Sequence, residues 1–206
     1  EAFTFNNGTG VGDLVKIQAQ MRSLRENPAK KVRGHFRMAK GDVVEWVPDA
    51  HGKITIYEQP EKNIDALYIG GCDPADHDDV SSDASDMSLF IIKRPQGTSP
   101  AKIVAEYTDR PKEAVEYYEQ AMMLSIYFNK AKILIERNRY LMISHFKRTG
   151  GLYMLARTPN GVAKITGGRA DTVGIQMTPA AKEYLAGCIG RYVKDYVQFI
   201  PSWELL

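Results

Sequence analysis

The sequence predicts an α/β domain in which a mixed sheet, made of three successive antiparallel strands and further parallel strands, is flanked by helices. Three apolar runs with short connections lie between residues 67 and 107, and strands joined this closely pair as an antiparallel meander. A long amphipathic segment then separates them from a fourth apolar run at residues 133–136. A helix between two strands of one sheet implies a parallel crossover.

Composition sets broad bounds. The chain has 206 residues, of which 44% are hydrophobic, enough for one substantial domain with a small appendage. It has no apolar run near the roughly 18 residues of a membrane span and no secretory signal, so we expect a soluble, intracellular protein. Its two cysteines, Cys72 and Cys188, form neither a disulfide framework nor a metal-binding pair, and we expect both to be buried thiols.

Residues 1–65 are predicted to be a linker helix followed by a short β-hairpin extension that packs on the core domain of residues 66–206. The helical spacing of Leu14, Ile17, Met21 and Leu24 predicts an amphipathic helix that ends near Asn27. Turn-forming residues separate three short strands, predicted at residues 32–38, 43–47 and 54–57.

The core domain is predicted to hold the remaining strands and helices. A helix beginning at Pro111 buries an apolar face that includes Tyr117, Tyr118, Tyr127 and Phe128. A last helix begins after Thr178, which serves as its N-cap. In chain order the predicted elements are strands 67–72, 87–93 and 102–107, the helix from 111, strand 133–136, helix 140–147, strand 152–156, a glycine-rich hairpin at 158–174 and helix 180–199.

Two predicted strands end in a carboxylate. Asp73 closes the first apolar run of the core domain, and Glu136 closes the run that follows the long helix. A single acid at a strand end is more commonly a turn residue, but two that meet on neighbouring strands form a site for a hard divalent cation such as Mg²⁺. Such a site serves metal-assisted phosphodiester hydrolysis.

The charges are segregated. Residues 73–86 contain six aspartates and no lysine or arginine, whereas residues 134–170 contain seven cations and one acid, Glu136. This pattern suits a cation and a polyanion held together, although charge runs are also typical of solvated surfaces. The candidate DNA contacts are Arg137, Arg139, Lys147, Arg148, Lys164 and Arg169. Asn138 either orients a metal-bound water or caps the next helix, and we favour the cap.

The order of the predicted elements is that of the ribonuclease-H-like fold. Within it, three segments resemble the nuclease domain of viral large terminase subunits, the motors that package and cut phage genomes. They are Tyr68–Ala75, Ser85–Ser88 and Ile133–Asn138, and the segments at residues 1–3 and 173–178 are also similar.

This resemblance implies an Mg²⁺- or Mn²⁺-dependent endonuclease that cleaves double-stranded DNA during genome packaging in the cytoplasm of a bacterial host. It makes Asp73 and Glu136 metal ligands and gives Asp86 a supporting catalytic role. It also implies a third carboxylate on a helix beyond Leu206, so we expect weak cleavage by this chain alone. The implied partners are DNA, an ATPase domain, the small terminase subunit and the portal. The chain itself contains no Gly-rich phosphate loop.

Two other functions remain open. One is that of another ribonuclease-H-like nuclease, such as a resolvase or an integrase. The other is that of a non-catalytic domain that keeps the fold and binds DNA or a partner within a packaging motor.

Overall fold

The computed structural model describes residues 13–41, 43–62, 64–75, 86–202 and 205–206. Two compact units are present. Residues 31–177 contribute to one, which we call the sheet unit. The described parts of residues 1–30 and 178–206 form the other, which we call the helical unit.

In the part of the chain that the structure describes, the sheet unit is built on one sheet of seven strands. The strands of the opening third belong to the same sheet as those of the core, in the order β2-β1-β3-β6-β5-β4-β7. Each lies within two residues of its predicted position. Their bounds are β1 Val32–Ala39, β2 Val43–Pro48, β3 Ile54–Ile56, β4 Tyr68–Asp73, β5 Met87–Lys93, β6 Lys102–Asp109 and β7 Lys132–Ile135.

The core strands pair first antiparallel and then parallel. Strands β4, β5 and β6 pair antiparallel in succession, with 13 residues between β4 and β5 and eight between β5 and β6. The helix α2, Ala114–Tyr127, then carries the chain back across the sheet, and β7 pairs parallel to β4. This mixed, mostly antiparallel sheet with its flanking helices confirms the predicted fold class and is compatible with a ribonuclease-H-like α/β fold.

Aromatic side chains join α2 to the sheet. The rings of Tyr107 and Tyr117 stack with centroids 4.3 Å apart, and Tyr68 meets Phe128 edge to face at 5.1 Å. Tyr117, Tyr118 and Phe128 are buried, which confirms their prediction as core, whereas Tyr127 is only partly buried against that core. The helix does not begin at Pro111 as predicted, because Asp109 accepts a hydrogen bond from the Arg110 amide and the backbone is still extended at Glu113.

Burial alternates along β4 and defines the two faces of the sheet. Tyr68, Gly70 and Cys72 are buried, whereas Ile69, Gly71 and Asp73 are exposed. Strand β7, which ends the strand order, is fully buried on one face only. Ile133 and Ile135 are buried, whereas Lys132 is exposed and Leu134 is half-buried.

The segment after β7 departs from its predicted structure. Helix α3 spans Tyr140–Arg148 as expected, but the predicted strand 152–156 is a 3-10 helix, Leu152–Met154, followed by a single bridge from Leu155 to Ile133. Leu152 and Tyr153 are exposed while Met154 and Leu155 are buried. Burial that comes in pairs does not fit the alternation of a strand.

The glycine-rich segment at 158–174 is closed like a hairpin but contains a helix. Arg157 pairs antiparallel with Val173 at its base. Between them lies α4, Asn160–Thr166, which ends at Gly167 in the left-handed conformation. The helix was not predicted because seven residues show too little periodicity.

The helical unit contains α1, Leu14–Glu26, and α5, Pro179–Tyr196, with a short 3-10 helix at 197–199. The Thr178 hydroxyl accepts from the Ala181 amide at 3.2 Å, which confirms the predicted cap. Lys16 donates to the Lys194 carbonyl at 2.8 Å. Cys188 is half-buried and not buried as predicted, because it lies on α5, where Ala181 and Val193 are the buried residues. Among the described residues, no helix is long and apolar enough to cross a membrane.

Candidate functional site

The carboxyl ends of β4 and β7 lie side by side in the sheet unit. Their parallel register pairs Cys72 with Ile135. If this register continued by one residue, it would bring Asp73 beside Glu136, on backbones about 4.8 Å apart. Cys72 and Ile135 are buried, and side chains alternate along a strand, so Asp73 and Glu136 share the opposite face. These two carboxylates form the candidate site.

Cys72 anchors the end of β4 on the buried face of the sheet. Its sulfur lies 4.0 Å from the Tyr117 hydroxyl and 3.9 Å from the Met142 sulfur. Burial raises the pKa of this thiol to about 12, so it is a neutral core group, buried as predicted. The alternation along β4 turns it away from Asp73. Just beyond the strand, the Tyr118 hydroxyl donates a hydrogen bond to the Ala75 carbonyl and ties the outgoing chain to α2.

Glu136 is held through its main chain and its side chain. The Ile175 amide donates to the Ile135 carbonyl and the Arg137 amide donates to the Ile175 carbonyl, both at 2.8 Å. These bonds form a parallel bridge between Glu136 and Ile175. The Asn138 side-chain amide donates to Oε1 of Glu136 at 3.0 Å.

This contact corrects the prediction that Asn138 caps the next helix. Arg139 occupies the N-cap position of α3, and no side chain makes a capping bond there. Sequence reasoning had placed Asn138 near the site without finding its contact with Glu136. Its position two residues after a candidate ligand was the available signal.

Asp86 lies at the same end of the sheet. It directly precedes β5, and the antiparallel register pairs Asp73 with Ser88. Asp86 is exposed and lies two residues beyond Ser88, about 7 Å further along the strand direction. The same alternation places it on the face of Asp73, farther from Glu136 than Asp73 is.

The candidate DNA-binding cations do not form one cluster. Arg137 and Arg139 directly follow the site, whereas Lys147 and Arg148 lie at the far end of α3, roughly 12 Å away along the helix. All of the predicted cations are exposed except Arg137, which is half-buried. Its Nε atom is buried and has no hydrogen-bond partner among the described residues.

Arg169 is already paired. Its guanidinium donates to both carboxylate oxygens of Asp171, at 3.0 Å from Nε and 2.6 Å from Nη2. The hydrogen bond from Arg169 holds the pKa of Asp171 below its usual value. Because the pair is exposed, a phosphate group can compete for this arginine at little cost.

The donor set fits a hard cation with an incomplete protein shell. Among the residues that the structure describes, no group of three or more His, Cys, Asp or Glu side chains is arranged to hold a metal ion. Mg²⁺ commonly binds through one or two carboxylates and keeps several waters, with substrate phosphates completing its shell. Asp73 and Glu136 match that mode and not a closed structural metal site.

The site is open to solvent. A cavity of about 430 Å³ lies elsewhere in the sheet unit, between the β2–β3 turn and α2. Its lining includes His35, Asp49 and Glu116 but neither Asp73 nor Glu136. A site with an exposed Asp73 and a half-buried Glu136 suits a bulky polymer better than a small enclosed substrate.

Other acids of the aspartate-rich segment lie outside the described residues. They are Asp76, Asp78, Asp79 and Asp83, none of which was assigned a role, and the neighbouring His77 lies outside them as well.

No protein-family model matches the chain, and no curated protein matches it. Among solved structures, the large terminase nuclease from thermophilic phage G20c is similar over 87% of this chain and 70% of its own, with a TM-score of 0.48 and 9% sequence identity. A likeness of this size is a distant structural one and identifies neither a family nor an activity.

Proposed function

We propose that this chain is a metal-dependent endonuclease of the large-terminase type, which cleaves double-stranded DNA with Mg²⁺ or Mn²⁺ held by Asp73 and Glu136. The observation that supports the proposal is the parallel register of β4 and β7, which pairs Cys72 with Ile135, the residues directly before the two acids. The resemblance of the segments around these residues to terminase nucleases supports the choice of substrate and biological setting.

Asp73 and Glu136 would hold the cation between them, and the bound metal would supply a nucleophilic water and stabilise charge on the phosphate. Glu136 keeps one oxygen engaged by Asn138 and leaves the other for the cation. Arg137 and Arg139 lie directly after Glu136 in the chain and are the cations best placed to contact the DNA backbone. Contacts with phosphates position the duplex without reading its sequence. We therefore expect little sequence preference.

Plasmid cleavage in Mn²⁺ tests the proposal. We expect weak nicking by the wild-type chain, because only two carboxylates meet among the described residues, and its loss in Asp73→Asn and Glu136→Gln. The matched control is Asp195→Asn, which changes an exposed acid of the helical unit and should leave cleavage unchanged. Cleavage that survives both site substitutions would contradict the proposal.

A second candidate is a non-catalytic DNA- or partner-binding domain, which the exposed cations Arg139, Lys147 and Arg148 would also suit. The same experiment separates the two functions. DNA binding that is insensitive to divalent cations and to both substitutions, with no cleavage, would support the second.

A further inference from the structure

The backbone around Glu136 is fixed on both sides, whereas its side chain is not fixed by the sheet. Strand β4 pairs with the residue before it, and Ile175 bridges it on the other side with hydrogen bonds of 2.8 Å. A half-buried glutamate on such a backbone still has several rotamers. Ordering its carboxylate when a cation binds costs side-chain entropy unless another group has ordered it first.

Asn138 is the group in contact with that carboxylate. The chain turns after β7, with the Arg139 amide donating to the Glu136 carbonyl at 3.2 Å, and this turn returns the Asn138 side chain to Glu136. Its amide nitrogen lies 3.0 Å from Oε1. An ionised carboxylate only accepts hydrogen bonds, so the amide must present its NH₂ group. Among the residues that the structure describes, no hydrogen bond engages the other carboxylate oxygen.

We infer that Asn138 is a positioning residue, which orders the Glu136 carboxylate so that its second oxygen is ready for a divalent cation. This inference rests on the proposed metal site and adds a residue to it. Partners that hydrogen-bond a metal ligand change metal affinity by about 10- to 100-fold when they are removed. Because Asn138 is exposed, we expect the lower end of that range.

Mn²⁺ titration followed by the EPR signal of the free ion tests the inference without relying on activity. Asn138→Leu keeps the approximate size of the side chain and removes the donor. We expect the Mn²⁺ dissociation constant to rise about tenfold while the melting temperature of the metal-free protein stays unchanged. Asn160→Leu, at another exposed asparagine in the sheet unit, is the matched control and should bind Mn²⁺ like the wild type.

A double-mutant cycle with Glu136→Gln separates positioning from a general effect on the fold. If Asn138 acts through the Glu136 carboxylate, Asn138→Leu should change Mn²⁺ affinity little in the Glu136→Gln background. Equal losses in both backgrounds would overturn the inference, as would wild-type affinity in both Asn138→Leu and Asn138→Ala. Failure of the wild-type chain to bind Mn²⁺, or binding indifferent to Asp73→Asn, would instead overturn the proposed site and Asn138's role with it.

Discussion

Gly174 directly precedes Ile175, whose two backbone hydrogen bonds hold the chain at Glu136 on the side away from β4. It lies in the left-handed region at φ +72°, and a β-carbon there would lie 2.8 Å from the Ile135 carbonyl oxygen and 3.3 Å from Cγ1 of Ile135. The first of these contacts is with backbone, so side-chain rotation cannot relieve it. The substitution Gly174→Ala must therefore strain the segment or move it away from β7.

The cost has two parts. A non-glycine residue in the left-handed conformation costs about 1–2 kcal/mol. Moving the segment breaks two bonds, from Ile175 to the Ile135 carbonyl and from Arg137 to the Ile175 carbonyl, each worth about 0.5–1.5 kcal/mol net. We expect Gly174→Ala to lower the free energy of unfolding by about 2–5 kcal/mol.

Gly150→Ala is the matched control for this experiment. Gly150 has nearly the same conformation, φ +77°, but nothing lies within 4 Å of its β-carbon position, so only the conformational cost of about 1–2 kcal/mol applies. Urea unfolding measures both variants, and hydrogen exchange should show faster exchange of the Ile175 and Arg137 amides in Gly174→Ala. If Gly174→Ala loses no more stability than Gly150→Ala, the bridge does not hold the strand end as described.

Two further predictions concern buried titratable groups. Burial lowers the pKa of His145, with Glu119 raising it and Arg148 lowering it less. Below about pH 6.5 the unfolded chain therefore binds a proton that the folded chain resists. The free energy of unfolding should therefore decrease as the pH is lowered through this range, by at most about 1.4 kcal/mol per pH unit. Urea unfolding should show a smaller decrease in His145→Phe, and an equal decrease would contradict this. The Cys72 thiol, with its pKa raised to about 12 by burial, should resist alkylation at about pH 8 until the protein unfolds, whereas half-buried Cys188 should react first; mass spectrometry of labelled peptides checks the order.

The strands and long helices could be predicted from the sequence because each carries its own periodicity and turn signals. The positions of Asp73 and Glu136 at strand ends followed from the same pattern. Their placement on neighbouring strands required only that α2 return the chain in parallel, and the observed register agrees. That the pair binds a metal stays a prediction.

The elements that were missed depend on contacts that a local pattern does not contain. The apolar run at 152–156 suggested a strand, but its burial is paired rather than alternating, which only the tertiary structure determines. Helix α4 has only seven residues and contains Gly161, a poor helix former. The contact between Asn138 and Glu136 depends on the turn that follows β7.

Anomalous diffraction from a crystal soaked in Mn²⁺ tests the central claim most directly. We predict a manganese peak between Asp73 and Glu136, with an oxygen of each carboxylate about 2.1 Å from the ion. Mn²⁺ bound elsewhere in the crystal, with no peak at this pair, would contradict the account.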